Sequence, residues 1–282
     1  MTRKEKNNRK TDQAWTTLYN RLEKDGLITQ AETPRPSLRL TAFKWTAAAV
    51  ILLCTYLSIN YFNQTEKVID RNLLTRQNKE TITLATTLED GSIVYLAGNA
   101  AIHYPEHFQP DKREISLQGN ALFDIAGNRA RPFLIETEDT RIEVLGTAFN
   151  VKSDGSQPFE LSVQRGMVKV TLKKSGQDVY VKAGETATLS SRKLQVSQTE
   201  NPDQFSEITQ QIRFKDERLA DILRIINLNT GDIRLQAIPA LESRTLTVTF
   251  SNNSPESIAE LICAALNLKY TRDKNVFTLH EN

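Results

Sequence analysis

Between Lys44 and Glu66 the chain runs for 21 residues without a charge, WTAAAVILLCTYLSINYFNQT. As a helix rising ~1.5 Å per residue this stretch would be roughly 31 Å long, a match for the ~30 Å hydrocarbon core of a bilayer. Residues 47–57 are nearly all apolar. Trp45, Tyr61 and Phe62 stand at the two ends, where aromatic rings favour the headgroup layer. Thr46, Thr55 and Ser58 can bond back to the carbonyls of their own helix. A core helix would show a polar stripe, for which residues 47–57 leave almost no room. A secretory signal would have a short basic leader and a small-residue cleavage site, whereas here 44 residues precede the run and no A-x-A follows it. Residues 45–65 are therefore read as a single membrane-spanning helix.

Charge is divided unevenly about that span. Residues 1–44 hold 10 Lys/Arg against 5 Asp/Glu, and residues 66–282 hold 26 against 29. A short basic tail before a first span tends to stay in the cytoplasm, which places residues 1–44 inside and the long remainder outside. The tail's positive charge is small and interspersed with acids, so it faces lipid rather than nucleic acid. Cys54 lies in the span and Cys263 near the end, and the pair implies no disulfide framework.

Residues 1–10 are polar and basic and are expected to be disordered. From there to residue 30 the pattern is helical: Ala14, Trp15, Leu18 and Leu22 form one apolar stripe, Asp12 offers an N-cap and Gly26 a stop. Such a short amphipathic helix cannot make a core alone, and it packs on a partner protein, on the membrane surface, or on nothing. Residues 66–81 are polar and read as a linker.

From Ile82 the texture changes to short alternating segments with turn signals every 8–12 residues, an all-β pattern with no room for a long helix before residue 197. Asp90-Gly91 is a hairpin cue. Strands are expected at 93–96, 102–104, 114–117, 121–125, 132–136, 141–145, 149–152, 160–163, 167–172, 179–181, 186–189 and 193–196. Residues 82–197 thus form an all-β domain, a sandwich or a solenoid.

Past Asn201-Pro202 the period becomes helical, and residues 205–282 read as a small α+β module. Asp216 is expected to cap one helix, and Ser254-Pro255-Glu256 opens another. Apolar residues fall at the same offsets from Phe214 (Ile222, Ile225, Ile226) as from Phe250 (Ile258, Leu261, Ile262), an internal repeat of two β-α-β units.

Reactive constellations are missing from the sequence, which argues against an enzyme. No G-x-S-x-G, phosphate-binding loop, dinucleotide fingerprint or C-x-x-C is present, so no cofactor is expected. His103 and His107 are four apart, but Pro105 between them prevents the helix that would aim both rings at one metal. His280 is expected to be solvated. Glu89 and Asp90 are adjacent and point to opposite sides, which suits a turn rather than a carboxylate pair. Aromatic and basic residues are not interleaved as in a single-strand nucleic-acid groove.

Taken together the motifs resemble those of the FecR-type anti-sigma regulators, in the form common in Bacteroidota. Residues 88–96, LEDGSIVYL, resemble the family's L-x-D-G-S-x-V-x-L. Residues 102–105, IHYP, resemble its L-x-Y-P, and Arg131-Pro132-Phe133 its R-P-F. Residues 144–151, VLGTAFNV, resemble V-x-G-T-x-F-x-V, and Arg165-Gly166-Met167-Val168 fits a later x-G-x-V turn. Asp90, Gly91, Gly146, Thr147, Phe149 and Gly166 are the structural residues this resemblance marks. The repeat at 205–282 is similar to the secretin/TonB short-N-terminus (STN) module that ends such chains. Departures are Asn120, where the family usually has Glu, Ala183 in place of Pro before Gly184-Glu185, and a cytoplasmic part shorter than that of many relatives.

The resemblance implies a single-pass bacterial inner-membrane anti-sigma factor with residues 66–282 in the periplasm, relaying a signal from the signalling domain of an outer-membrane TonB-dependent transporter to a cytoplasmic extracytoplasmic-function (ECF) sigma factor and controlling nutrient-uptake genes. It assigns Trp15, Leu18 and Leu22 to the sigma-factor contact, and it admits processing by a site-2-type membrane protease. A membrane-anchored envelope-assembly protein is the alternative from another class.

Overall fold

The computed structural model describes residues 3–26, 55 and 73–282. The expected membrane span at 45–65 lies outside the described residues, apart from Thr55, which is helical. Among the described residues no helix is long and apolar enough to cross a membrane. The chain divides into two compact units, residues 1–69 and 70–282.

In the first unit α1 spans Arg3–Lys24. It begins a full two turns before the expected N-cap, so Asp12 lies inside the helix, where its carbonyl accepts from Thr16 Oγ1 at 2.8 Å. Residues 3–10, expected to be disordered, are rich in Lys, Arg and Glu, all good helix formers, and composition alone had hidden that propensity. The stop is where Gly26 predicts it: Gly26 has φ +68° and donates its N–H to the Glu23 carbonyl at 3.2 Å.

The second unit is built on two large sheets. The seven-stranded sheet runs in the order β1 (Leu73–Gln77), β4 (Ala101–Pro105), β5 (Arg113–Gln118), β7 (Phe133–Glu136), β8 (Thr140–Val144), β11 (Met167–Leu172) and β12 (Gln177–Lys182). The nine-stranded sheet runs β14 (Lys193–Gln198), β13 (Glu185–Ser190), β10 (Glu160–Arg165), β9 (Ala148–Lys152), β6 (Ala121–Asp124), β3 (Ile93–Leu96), β2 (Thr83–Thr87), β15 (Gln211–Arg218) and β17 (Thr245–Ser251). Between them lies one apolar core in which Ile102, Phe123, Phe133, Ile135, Ile142 and Phe149 are fully buried. This is a sandwich, and as far as β14 the chain crosses from sheet to sheet every one or two strands. In the seven-stranded sheet β5, β7 and β8 alternate buried and partly open positions, the mark of a sheet with one wet face. In the other sheet β3 is buried at every position, because its second face is also covered.

What covers it is the C-terminal module. Helices α2 (Gln204–Thr209), α3 (Leu219–Asn227) and α4 (Pro255–Leu266) pack with a three-stranded sheet of β16 (Arg234–Ala237), β19 (Val276–Glu281) and β18 (Leu268–Asp273). Ala85, Ile93, Tyr95 and Leu122 of the sandwich join Phe214, Ile222, Ile225, Ile262 and Phe277 of the module in a second core. Segments 82–197 and 205–282, expected as separate domains, therefore share a core and a sheet. β15 pairs in parallel with β2 (Ile212↔Thr83, Phe214↔Ala85) and antiparallel with β17. Three short helices and a three-stranded sheet enclose little core of their own, and docking on the sandwich supplies a further apolar face.

Three expectations need correction. Leu73–Gln77, assigned to a polar linker, is strand β1, paired with β4 from Leu73↔Pro105 to Gln77↔Ala101. Asp216 does not cap α3: it has φ +52° in a bulge of β15, where its N–H donates to Thr247 Oγ1 at 3.0 Å, and Arg218 occupies the N-cap. Leu261, the repeat counterpart of the fully buried Ile225, is exposed, and Ala259 is buried in α4 instead. Ser254 does cap α4, accepting from the Ser257 N–H at 3.2 Å.

Candidate functional site

The Asp90 turn joins the two sheets. Leu88 and Ser92 close it through a 2.8 Å main-chain bond, and the Asp90 carboxylate accepts from the Ser92 N–H at 3.0 Å and the Ser92 hydroxyl at 2.7 Å. Its second partner is Arg113, whose Nη1 donates to Asp90 Oδ2 at 2.6 Å. The Arg113 side chain is 1 % exposed. It also donates from Nε to the Arg131 carbonyl and from Nη1 to the Ala126 carbonyl, each at 2.9 Å, and lies over the Phe133 ring at 5.3 Å. One guanidinium thus ties the Asp90-Gly91-Ser92 turn to the Arg131-Pro132-Phe133 segment. The carboxylate and the two carbonyls meet the donors on Nε and Nη1 and so offset most of the cost of burying this charge, while Nη2 is buried with no hydrogen-bond partner among the described residues.

A second pair of motifs meets at the turn from β10 to β11. Gly166, at φ +89°, approaches Thr147 so closely that a Cβ there would stand 2.4 Å from Thr147 Cγ2. Gly146 likewise packs on Gly127, 2.6 Å from where its Cβ would be. Phe149, two residues on, stacks on Phe123 at 5.3 Å between ring centres. Asp90, Gly91, Gly146, Thr147, Phe149 and Gly166 are thus gathered into tight turns and core contacts.

Trp15 and Leu18 on α1 are exposed, at 64 % and 47 %, while Leu22 is half-buried. Their apolar stripe is open. His103 Nδ1 lies 2.9 Å from Thr75 Oγ1, and His107 Nδ1 lies 3.0 Å from Glu89 Oε2, so the two rings engage different partners. The Glu89 contact holds His107 above the usual histidine pKa. His280, expected to be solvated, is half-buried in β19. No group of three or more metal-ligating side chains occurs among the described residues.

The junction of sandwich and module is polar as well as apolar. Buried Glu217 accepts from the Thr87 N–H at 2.9 Å, and Arg224 of α3 donates to the Gly91 carbonyl at 2.7 Å. Burial pushes the Glu217 pKa up, opposed by the Thr87 N–H and by Arg76. Arg213 pairs with Glu80 beside the β2–β15 contact. Tyr95, under the module, has its hydroxyl pKa raised by burial and by Asp124. Arg113, Glu217 and Arg224 were not singled out from sequence. Arg113 had one visible signal: it shares the inward parity of Ile115 and Leu117 on its strand.

Residues 77–169 match the family described as FecR protein. That interval holds the whole Asp90–Arg113 network and the Gly146–Thr147–Gly166 contact. Two crystal structures of a candidate anti-sigma factor from Parabacteroides distasonis ATCC 8503, at 1.65 Å and 2.50 Å resolution, are similar to this chain at 19 % identity and a TM-score of 0.45, covering 74 % of this chain and 99 % of theirs. No curated protein matches the chain.

Proposed function

We propose, starting from the FecR family to which this chain belongs through residues 77–169, that it is a regulator of a sigma factor and not an enzyme. The FecR match is the observation that carries this reading. In it the uncharged run at 45–65 spans the inner membrane, the basic tail stays in the cytoplasm, and residues 73–282 form a periplasmic body. The open Trp15–Leu18–Leu22 stripe of α1 is the surface that meets an ECF-type sigma factor, since an exposed amphipathic helix suits a helix-in-groove contact. The periplasmic body receives its signal from the signalling domain of a TonB-dependent transporter, and the STN-like module at 205–282 shares that contact. Signal passage across a single helix is completed by membrane proteolysis.

The test is a sigma-dependent reporter in cells carrying the chain without residues 1–30, or with Trp15, Leu18 and Leu22 changed to alanine. Both variants lose regulation if the stripe is the contact. Unaltered reporter output in the presence of either variant rejects the assignment.

A further inference from the structure

Beyond any sigma-factor contact, the C-terminal module holds a pocket of about 320 Å³, bounded by α2, β15, β17 and the loop before α4. Its floor is apolar, formed by the mostly buried Ile212, Ile226 and Phe250 over the core. Its rim carries the side-chain amides of Gln210, Asn252 and Asn253, together with hydroxyl groups. None of its 12 lining residues is charged, in a chain that is 25 % charged. A main-chain bond from the Asn252 N–H to the Gln210 carbonyl, 3.0 Å, sets these two residues side by side. Both residues are exposed, and their side-chain amides bond to no other described residue. Asn252 has φ +51°, a conformation that Asn adopts more readily than most residues.

We propose that this pocket takes one N-acetylated sugar residue of a neutral saccharide. A ligand with a formal charge would find no counter-charge in the lining and would lose its hydration uncompensated. A side-chain amide presents donors and an acceptor in one plane, which matches both sugar hydroxyls and an acetamido group. The apolar floor suits the C–H face of a pyranose ring. The volume lies at the small end of the ~300–1,000 Å³ range of ligand pockets. A peptide strand is a poorer fit. The floor is made by β15, β17 and α3, and β15 is already paired on both sides by β2 and β17, so main-chain addition could occur only along the outer edge of β17 and not over the floor.

The experiment is calorimetric titration of the full chain with triacetylchitotriose, maltotriose and a capped neutral tripeptide, repeated on Asn252→Asp and Gln210→Glu. Aspartate tolerates the same left-handed backbone as asparagine, and circular dichroism checks both variants for folding. Saturable binding of the acetylated saccharide is expected, weakened about tenfold in each variant, as loss of a well-made hydrogen bond in a site requires. Absence of saturable binding overturns the proposal, as does binding that both variants leave intact. Equal binding of maltotriose overturns the acetamido assignment, and equal binding of the peptide overturns the saccharide.

Discussion

Replacing Gly166 with alanine puts two costs on the sandwich, and they can be separated. At φ +89° an L-residue is strained, at about 1–2 kcal/mol. The new methyl also meets Thr147 Cγ2 at 2.4 Å, inside van der Waals contact. Thr147 is 1 % exposed and β-branched, so its methyl has little room to swing aside. Overpacking of this kind costs about 1–3 kcal/mol. The sum, about 2–5 kcal/mol, is a large part of the ~5–15 kcal/mol that holds a typical domain together. Thr147→Ser removes the offending methyl and keeps the hydroxyl. Alone it costs about 1 kcal/mol for the lost methyl. Combined with Gly166→Ala it relieves the collision and leaves only the backbone strain. The double variant is therefore expected to be more stable than the sum of the singles by about 1–2 kcal/mol, a coupling within the range seen for touching residues. Urea unfolding followed by far-ultraviolet circular dichroism measures all four corners of the cycle. Strict additivity, or a Gly166→Ala cost under about 1 kcal/mol, refutes the contact as the reason for glycine there.

Arg113→Met strands the Asp90 carboxylate in the interior and is expected to cost about 3–5 kcal/mol in the same unfolding assay; the Asp90→Asn/Arg113→Met double variant recovers part of that, and no recovery refutes the ion pair as the cause. Glu217 has a pKa raised in the fold by burial, so its contribution favours the folded state at acid pH and is lost as pH rises through its folded pKa. Glu217→Gln keeps an oxygen acceptor for the Thr87 N–H, so stability measured against pH should show the variant gaining on the parent as pH climbs above the ordinary glutamate value of about 4.3; a gap between the two that is constant with pH contradicts the burial of an ionising group.

Strands of the sandwich were legible where short apolar-rich segments lie between clear turn signals. Residues 93–96 and 167–172 form strands with both ends as expected, because their neighbours are turns that break the pattern sharply. β1 was not legible: every side chain of Leu73–Gln77 is at least partly open to solvent, so this edge strand carries no burial pattern, only main-chain pairing. The join between β2 and β15 was also invisible. It links residues some 130 apart through backbone bonds, and Thr83–Ala85 has no side-chain code that names Ile212–Phe214 as its neighbour. The motif glycines were visible as glycines, but the reason for Gly166 lies in Thr147, which only the folded chain brings to it. Arg113 escaped notice because a charge at an inward position reads as an error until its four contacts are seen.

The insertion of β15 beside β2 has a consequence for anyone who trims this chain. A fragment that stops near residue 200 would leave β2 as a bare margin with its main-chain amides and carbonyls unsatisfied. The same cut would strip the cover from Ala85, Ile93, Tyr95 and Leu122. Such a piece would seek neighbours in solution, and stickiness measured on it would describe the wound rather than the molecule.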